Sequence, residues 1–221
     1  MNQARVFYII AVVTALFMLP FSFLLAAAYG RAYEPLTAHF LLSPLVRLVP
    51  GLFNFTSPAW VYQIFGRVYG FFIPLALPAL LMLIKQIPVR SALYRWGSGI
   101  LVTGVILAGL GIIGEYWDDP DSSILFIGYY LDLLGTLLVW IGGSLTGAAV
   151  LRDSQTARWV GFAFLTIPLG SILGLLLTGH IPSGSLFGLV LFTLATGMAQ
   201  LRGMKVRKGS QPEGELAFSG S

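Results

Sequence analysis

The feature that most constrains this chain is a series of apolar runs, each long enough to cross a lipid bilayer as a helix. A spanning helix needs about 20 mostly apolar residues, and six stretches of the sequence meet that requirement. They occupy residues 6–29, 64–84, 97–116, 124–150, 160–178 and 185–201. We therefore expect an all-α integral membrane protein that folds as a bundle of six transmembrane helices.

The amino-acid composition excludes a water-soluble domain of this length. Only 10% of the 221 residues are charged and 57% are hydrophobic, whereas a soluble domain averages about 25% charged residues. The expected partner of most of the surface is therefore the lipid bilayer. Cysteine is absent, which rules out disulfides and thiolate metal sites. The basic residues do not cluster on a soluble face, so nucleic acid is not an expected partner.

The first apolar run has an alternative interpretation as a signal peptide. Ala26, Ala27 and Ala28 offer a small-residue cleavage site near its end. The apolar core of a signal peptide usually has about 7–15 residues, and this run is longer. We favour an uncleaved span, and cleavage remains the alternative.

The distribution of basic residues orients the predicted bundle. Lys and Arg are enriched in the cytoplasmic loops of membrane proteins, and a cytoplasmic N-terminus places most of the basic residues on that side. They are Arg5, Lys85, Arg90, Arg95, Arg152, Arg158, Arg202, Lys205, Arg207 and Lys208. We predict a protein of a plasma-type cell membrane with both termini in the cytoplasm. Residues 1–201 form its membrane domain, and residues 202–221 form a disordered cytoplasmic tail.

The segment 36–53 is apolar, but it also carries a histidine, an arginine and two prolines. A seventh span here would reverse every later loop and place the basic 85–95 loop outside, against the positive-inside rule. We therefore predict an amphipathic segment that lies in the outer interface, within the first outer loop. The alternative is a segment that enters the membrane and returns to the same side.

Two predicted hairpins share sequence features. RWGSG (95–99) and RWVGF (158–162) each open a span, and GAAVLR (147–152) and GMAQLR (197–202) each close one. This order suggests that the bundle contains a repeated helical hairpin. Convergence is the alternative, because an Arg-Trp pair at an inner interface suits any span.

Glycines recur at seven-residue spacing in the third and fourth predicted spans. Seven residues are nearly two helical turns, so each series lines one face of its helix. Small residues let transmembrane helices approach closely, and the short connection makes these two spans antiparallel neighbours. The predicted helix-packing residues are Gly97, Gly104, Gly111, Gly128, Gly135 and Gly142.

The stretch GEYWDDPDSS (114–123) concentrates acidic residues in a chain that has few charges. The three aspartates at 118, 119 and 121 are predicted to lie in a solvated outer turn, with Tyr116 and Trp117 as interface anchors. Glu115 lies four residues after Gly111 and continues its glycine stripe, so this carboxyl group is predicted to face the bundle interior.

Asp132 is predicted to face the same interior, because it lies between two stripe glycines. A charge in the membrane costs about 2.5–3.5 kcal/mol and normally has a partner. We predict an ion pair between Arg67 and either Asp132 or Glu115. One alternative is a site for a cation, a proton or a polar ligand, lined by the candidate polar cluster Arg67, Glu115, Asp132 and His180. Another is a protonated Asp132 that is hydrogen-bonded to a neighbouring tyrosine or to a serine.

No catalytic constellation is apparent in the sequence. Ser144 and His180 are predicted at different depths of the membrane, so they cannot form a nucleophile–base pair. The two histidines lack the local spacing of a metal site, and we predict neither a metal nor a cofactor.

The sequence therefore favours a non-enzymatic scaffold, accessory subunit or sensor, acting as a homo-oligomer or with another membrane protein. The alternative is a small transporter or channel for a cation, proton or polar solute that uses Asp132, Glu115 and Arg67. The third possibility is a lipid-modifying membrane enzyme.

Overall fold

The computed structural model of the chain describes residues 3–32, 58–117 and 123–206. Within these ranges the chain forms helices and no β-strand. The helices are α1 (Gln3–Ala32), α2 (Pro58–Gly70), α3 (Phe72–Gln86), α4 (Ala92–Trp117), α5 (Ser123–Arg152), α6 (Arg158–Thr178), α7 (Ile181–Ser185) and α8 (Phe187–Leu201).

These helices form six spans that are long and apolar enough to cross a membrane, which confirms the predicted multi-span helical bundle. The spans are Gln3–Gly30, Ala59–Gln86, Ala92–Trp117, Ser123–Arg152, Arg158–Thr178 and Ile181–Leu201. The helices extend a few residues beyond the predicted apolar runs, because a helix continues past the hydrocarbon layer into the headgroup region.

Consecutive spans run in opposite directions, so the bundle has two distinct ends. The basic end carries the start of α1, the α3–α4 and α5–α6 connections and the end of α8. The acidic end carries the end of α1, the start of α2, the end of α4, the start of α5 and the start of α7. Which end faces the cytoplasm remains the prediction made from charge.

Proline breaks the second span into two helices. Pro74 has no N–H to donate to the carbonyl of Gly70, and its ring would clash with that carbonyl. The chain turns at Phe71 between α2 and α3. Pro78, one turn further, is accommodated inside α3.

The last span is also broken, and it is the most buried of the six. The turn at Leu186 separates α7 from α8. The broken span packs against α1 and α6. Gly188 lies so close to the carbonyl oxygen of Ile167 that any side chain there would overlap it.

The glycine stripes of α4 and α5 pack directly against each other. A Cβ atom at Gly111 would lie 2.6 Å from the Cα atom of Asp132, and one at Gly142 would lie 2.6 Å from the Cα atom of Leu101. Gly97, Gly104, Gly128 and Gly135 likewise contact the partner helix. This close contact brings the helix faces that carry Glu115 and Asp132 together.

Several predictions fall outside the described residues. They are the interfacial segment at 36–53, the acidic turn at 118–121 and most of the tail at 202–221. The hairpin repeat stays a prediction.

Candidate polar site at the acidic end of the bundle

Tyr62 of α2 is the centre of a buried hydrogen-bond network. Its hydroxyl oxygen lies 2.7 Å from the hydroxyl oxygen of Tyr116 and 3.0 Å from Nε2 of His180. The same hydroxyl donates to Oε1 of Glu115 at 3.4 Å. None of the four side chains is more than 9% exposed. One hydroxyl group thus connects α2, α4 and the residue that precedes α7.

One arrangement of protons is consistent with these contacts. A tyrosine hydroxyl has one donor and two acceptor positions. In this arrangement Tyr62 donates to Glu115 and accepts from Tyr116 and from Nε2–H of His180. Nδ1 of His180 then accepts from Ser183, whose Oγ lies 2.8 Å away.

The start of the broken last span positions His180. Gly179 adopts the left-handed conformation that favours glycine, with φ of 59°, and turns the chain out of α6. The backbone N–H of His180 donates to Oγ1 of Thr178, and its carbonyl accepts from the N–H of Gly184. His180 thus lies in the short connection between α6 and α7, and its ring is 3% exposed and packed inside the bundle.

Asp132 has no hydrogen-bond partner although it is buried. Its side chain is 1% exposed, and neither carboxyl oxygen accepts a hydrogen bond. Oε2 of Glu115 is likewise buried without a hydrogen-bond partner. Glu115 is also close enough to Asp132 for an electrostatic interaction. The hydroxyl of Thr136, one turn further along α5, is near the Asp132 carboxyl group but outside hydrogen-bond geometry, and it lies 3.3 Å from Oγ of Ser185. The hydrogen bond predicted from a neighbouring tyrosine or serine to Asp132 is thus not formed.

Arg67 does not form the predicted ion pair. Its Nε donates a 2.8 Å hydrogen bond to the backbone carbonyl of Tyr116, and neither Asp132 nor Glu115 accepts a hydrogen bond from it. The last carbonyls of a helix have no intrahelical donor, and a cation near them interacts favourably with the helix dipole. Arg67 therefore caps the end of α4. The ion-pair prediction is wrong. It used only the membrane depth of Arg67, which does not show that Arg67 of α2 faces the C-terminal end of α4.

The sequence interpretation missed the tyrosines of the network. Tyr116 was predicted to anchor the interface, but it is fully buried. Tyr69 is also fully buried, and its hydroxyl donates to the carbonyl of Ser183. Tyr62 and Tyr69 are seven residues apart, with Gly66 between them, and Gly66 leaves room for the ring of Tyr116. The two tyrosines at seven-residue spacing, with a glycine between them, could have indicated that this face of the second span is buried.

The buried hydroxyls nearer the basic end do not extend the network. Most of them donate to a carbonyl four residues earlier in their own helix, which satisfies the hydroxyl without a partner on another helix. These residues are Ser98, Thr193 and Thr196. The hydroxyl of Thr146 is buried without a partner. The connected polar groups of the described chain are thus concentrated at the acidic end.

The structure brings Glu115 and His180 together through Tyr62, and it places Asp132 across the glycine interface from Gly111. Arg67 of α2 lies apart from these groups and contacts the C-terminal end of α4. Within residues 3–32, 58–117 and 123–206, no group of three or more His, Asp or Glu side chains is arranged to hold a metal ion. That the predicted cluster acts as one functional site stays a prediction.

Six apolar spans define this chain as a multi-pass helical membrane protein. Comparisons with protein-family models, curated proteins and solved structures give no significant match to it. A specific function therefore has to be argued from the polar site.

Proposed function

We propose that this protein is a non-enzymatic sensor or accessory subunit of the membrane that takes up a cation at the Glu115–Asp132 carboxyl pair. A proton is the simplest such cation. The observation that carries the proposal is Asp132, a buried carboxyl group whose two oxygens have no hydrogen-bond partner and which is within range of an electrostatic interaction with the carboxyl group of Glu115. An ionised carboxylate in such surroundings is costly unless a positive charge or hydrogen-bond donors compensate it. A bound proton or cation supplies that compensation.

The network around Tyr62 supports uptake of a proton. Ser183, His180, Tyr62 and Glu115 form a continuous series of groups with exchangeable protons, linked by the contacts described above. Imidazole and phenol groups donate and accept protons readily when they are within hydrogen-bond distance. The series begins at the start of α7, near the acidic end, and leads to the carboxyl pair.

The limited extent of the network favours a binding site over a conduction path. A path across the membrane needs polar groups along its whole length, whereas the buried hydroxyls nearer the basic end are bonded within their own helices. A small cation transporter is the second candidate. The broken last span favours it, because discontinuous helices form the ion sites of many transporters.

Cation uptake is tested by measuring thermal unfolding of the purified chain in detergent over a series of pH values and of Na⁺, K⁺, Mg²⁺ and Ca²⁺ concentrations. A cation that binds only the folded state raises the unfolding temperature as its concentration increases. We expect this response in the wild type and its loss in Asp132→Asn. Thr146→Val is the matched control, because it alters a buried and unpartnered polar group of the same helix far from the carboxyl pair. Equal responses of the wild type and Asp132→Asn would contradict the proposal.

Flux measurements separate the two candidate functions. The chain is reconstituted into liposomes that contain a pH-sensitive dye, and a proton gradient is applied. A sensor gives no flux above empty liposomes while its unfolding temperature still responds to the cation. Flux that is lost in Asp132→Asn but retained in Thr146→Val would establish the transporter instead.

A further inference from the structure

A second polar site lies at the basic end of the bundle, away from the carboxyl pair. The ends of α1, α3 and α8 meet there around a cavity of about 400 Å³. It is lined by Ala4, Arg5, Tyr8, Gln86, Gln200 and Leu201.

Close packing of α8 on α1 shapes this cavity. A Cβ atom at Gly197 would lie 2.5 Å from Cγ2 of Val12 and 3.5 Å from the carbonyl oxygen of Tyr8. Only a residue without a side chain lets the two helices approach in this way. One turn beyond Gly197, the same face of α8 carries Gln200 to the first turns of α1.

The cavity has an apolar floor and a polar mouth. Tyr8 packs with Ala11 and Ala79 in a small buried cluster, which is extended by Met82 and Leu201. Arg5 lies at the surface beside this cluster. A site of this kind suits a ligand with a charged head and an apolar body.

The polar groups of the cavity are mainly donors. The side-chain amide of Gln86 donates to the hydroxyl of Tyr8 at 3.2 Å, which leaves the Tyr8 proton available to a ligand. Nε2 of Gln200 is buried and has no hydrogen-bond partner. Arg5 adds a guanidinium group, and none of the lining residues within 3–32, 58–117 and 123–206 is acidic.

We propose that this cavity binds a phosphate group through Arg5, Tyr8 and Gln200. A guanidinium group and neutral donors that converge on one space match the oxygens of a phosphate, and hydrogen bonds to such an anion are strong because they are charge-assisted. The headgroup of an anionic phospholipid and a soluble phosphate compound share this chemistry. The apolar floor and the position at the end of a membrane-spanning bundle match the lipid. This proposal is independent of cation uptake at the acidic end.

The test measures lipid retention by the full chain. The protein is purified in a nonionic detergent, stripped of lipid and titrated with phosphatidylglycerol or phosphatidylcholine, and the bound lipid is counted by native mass spectrometry. We expect phosphatidylglycerol to bind about tenfold more tightly than phosphatidylcholine. Arg5→Gln and Gln200→Glu should each weaken phosphatidylglycerol binding about tenfold, since each removes a donor to a charged group.

Arg95→Gln is the matched control, because Arg95 is an exposed arginine of the same end that does not line the cavity. We expect it to change phosphatidylglycerol affinity less than about twofold. Addition of inorganic phosphate distinguishes the two sources of the group. Competition by inorganic phosphate identifies a soluble phosphate ligand, and binding that inorganic phosphate leaves unchanged identifies the lipid headgroup.

Equal binding of the two lipids would overturn the assignment to an anionic headgroup, and equal binding by the wild type and Arg5→Gln would overturn phosphate recognition itself, because both lipids carry a phosphate group. The same holds if Arg95→Gln weakens binding as much as Arg5→Gln, because attraction would then come from the general positive charge of this end. Gln200→Glu places a carboxylate near the buried cluster, and it tests the site only if gel filtration shows a folded, monodisperse protein. Arg5→Gln and Arg95→Gln alter exposed side chains, so this pair decides the outcome in either case.

Discussion

The hydroxyl oxygen of Tyr62 and Nε2 of His180 lie 3.0 Å apart, although 118 positions separate the two residues in the chain. The contact joins the second span to the start of the broken last span inside the bundle. Buried polar contacts of this kind are strong when satisfied and costly when one partner is removed. They fix which faces of the spans meet, since lipid offers no hydrophobic drive for one arrangement over another.

Tyr62→Phe should reduce the free energy of unfolding by about 1–3 kcal/mol, because His180, Tyr116 and Glu115 would keep their buried polar groups but lose a shared partner. Unfolding in detergent, followed by tryptophan fluorescence, measures the change. Tyr130→Phe serves as the control, since Tyr130 is 66% exposed. If both variants lose the same stability, the network does not contribute as proposed.

Arg67→Ala should reduce the free energy of unfolding by about 1.5–3 kcal/mol, the usual range for a hydrogen bond to a charged group. The reason is loss of the cap on the carbonyl of Tyr116, not loss of an ion pair. The unfolding free energies of Arg67→Ala, Asp132→Asn and the double variant distinguish the two. We expect the single effects to add within about 0.5 kcal/mol. A larger coupling energy would indicate that Arg67 and Asp132 interact directly, as the ion-pair prediction requires.

Gly111→Ala should destabilise the protein by about 1–3 kcal/mol or more, the range for overpacking a well-packed interior. The added methyl group meets the backbone of Asp132, which no change of side-chain rotamer can relieve. Gly99→Ala in the same helix is the matched control, because a Cβ atom there meets nothing within 4 Å. This control should be neutral or more stable by up to about 1 kcal/mol, since alanine favours a helix over glycine. Equal stability of the two variants would contradict direct packing of the stripes.

Asp132→Asn should flatten the dependence of stability on pH if a proton completes the carboxyl pair. The folded wild type then holds a proton that the unfolded chain releases, so the unfolded state binds fewer protons and stability falls as the pH rises. The slope is about 1.4 kcal/mol per pH unit for each proton over the interval in which only the folded state holds it. The unfolding free energy measured at several pH values gives the two slopes. The same slope in both proteins would mean that Asp132 takes up no proton.

The sequence by itself determined the six spans and the glycine faces of α4 and α5. Both are properties of single helices. A span is an apolar run of sufficient length, and a stripe is a periodic pattern on one face, so neither requires knowledge of any other part of the chain. The inward direction predicted for Glu115 and Asp132 followed from the same periodicity.

Only the tertiary structure decided which groups the polar side chains meet. The position of Arg67 along its predicted span placed it at the same membrane depth as Glu115 and Asp132. Contact between side chains depends also on the rotation and tilt of α2, and in the structure these bring Arg67 to the carbonyl of Tyr116. Tyr116 was predicted to anchor the interface because it lies near the end of an apolar run. Packing of α2 against α4, with Gly66 facing the ring of Tyr116, buries it. Relations between helices arise from how whole faces fit together, and no local pattern of a single helix contains that information.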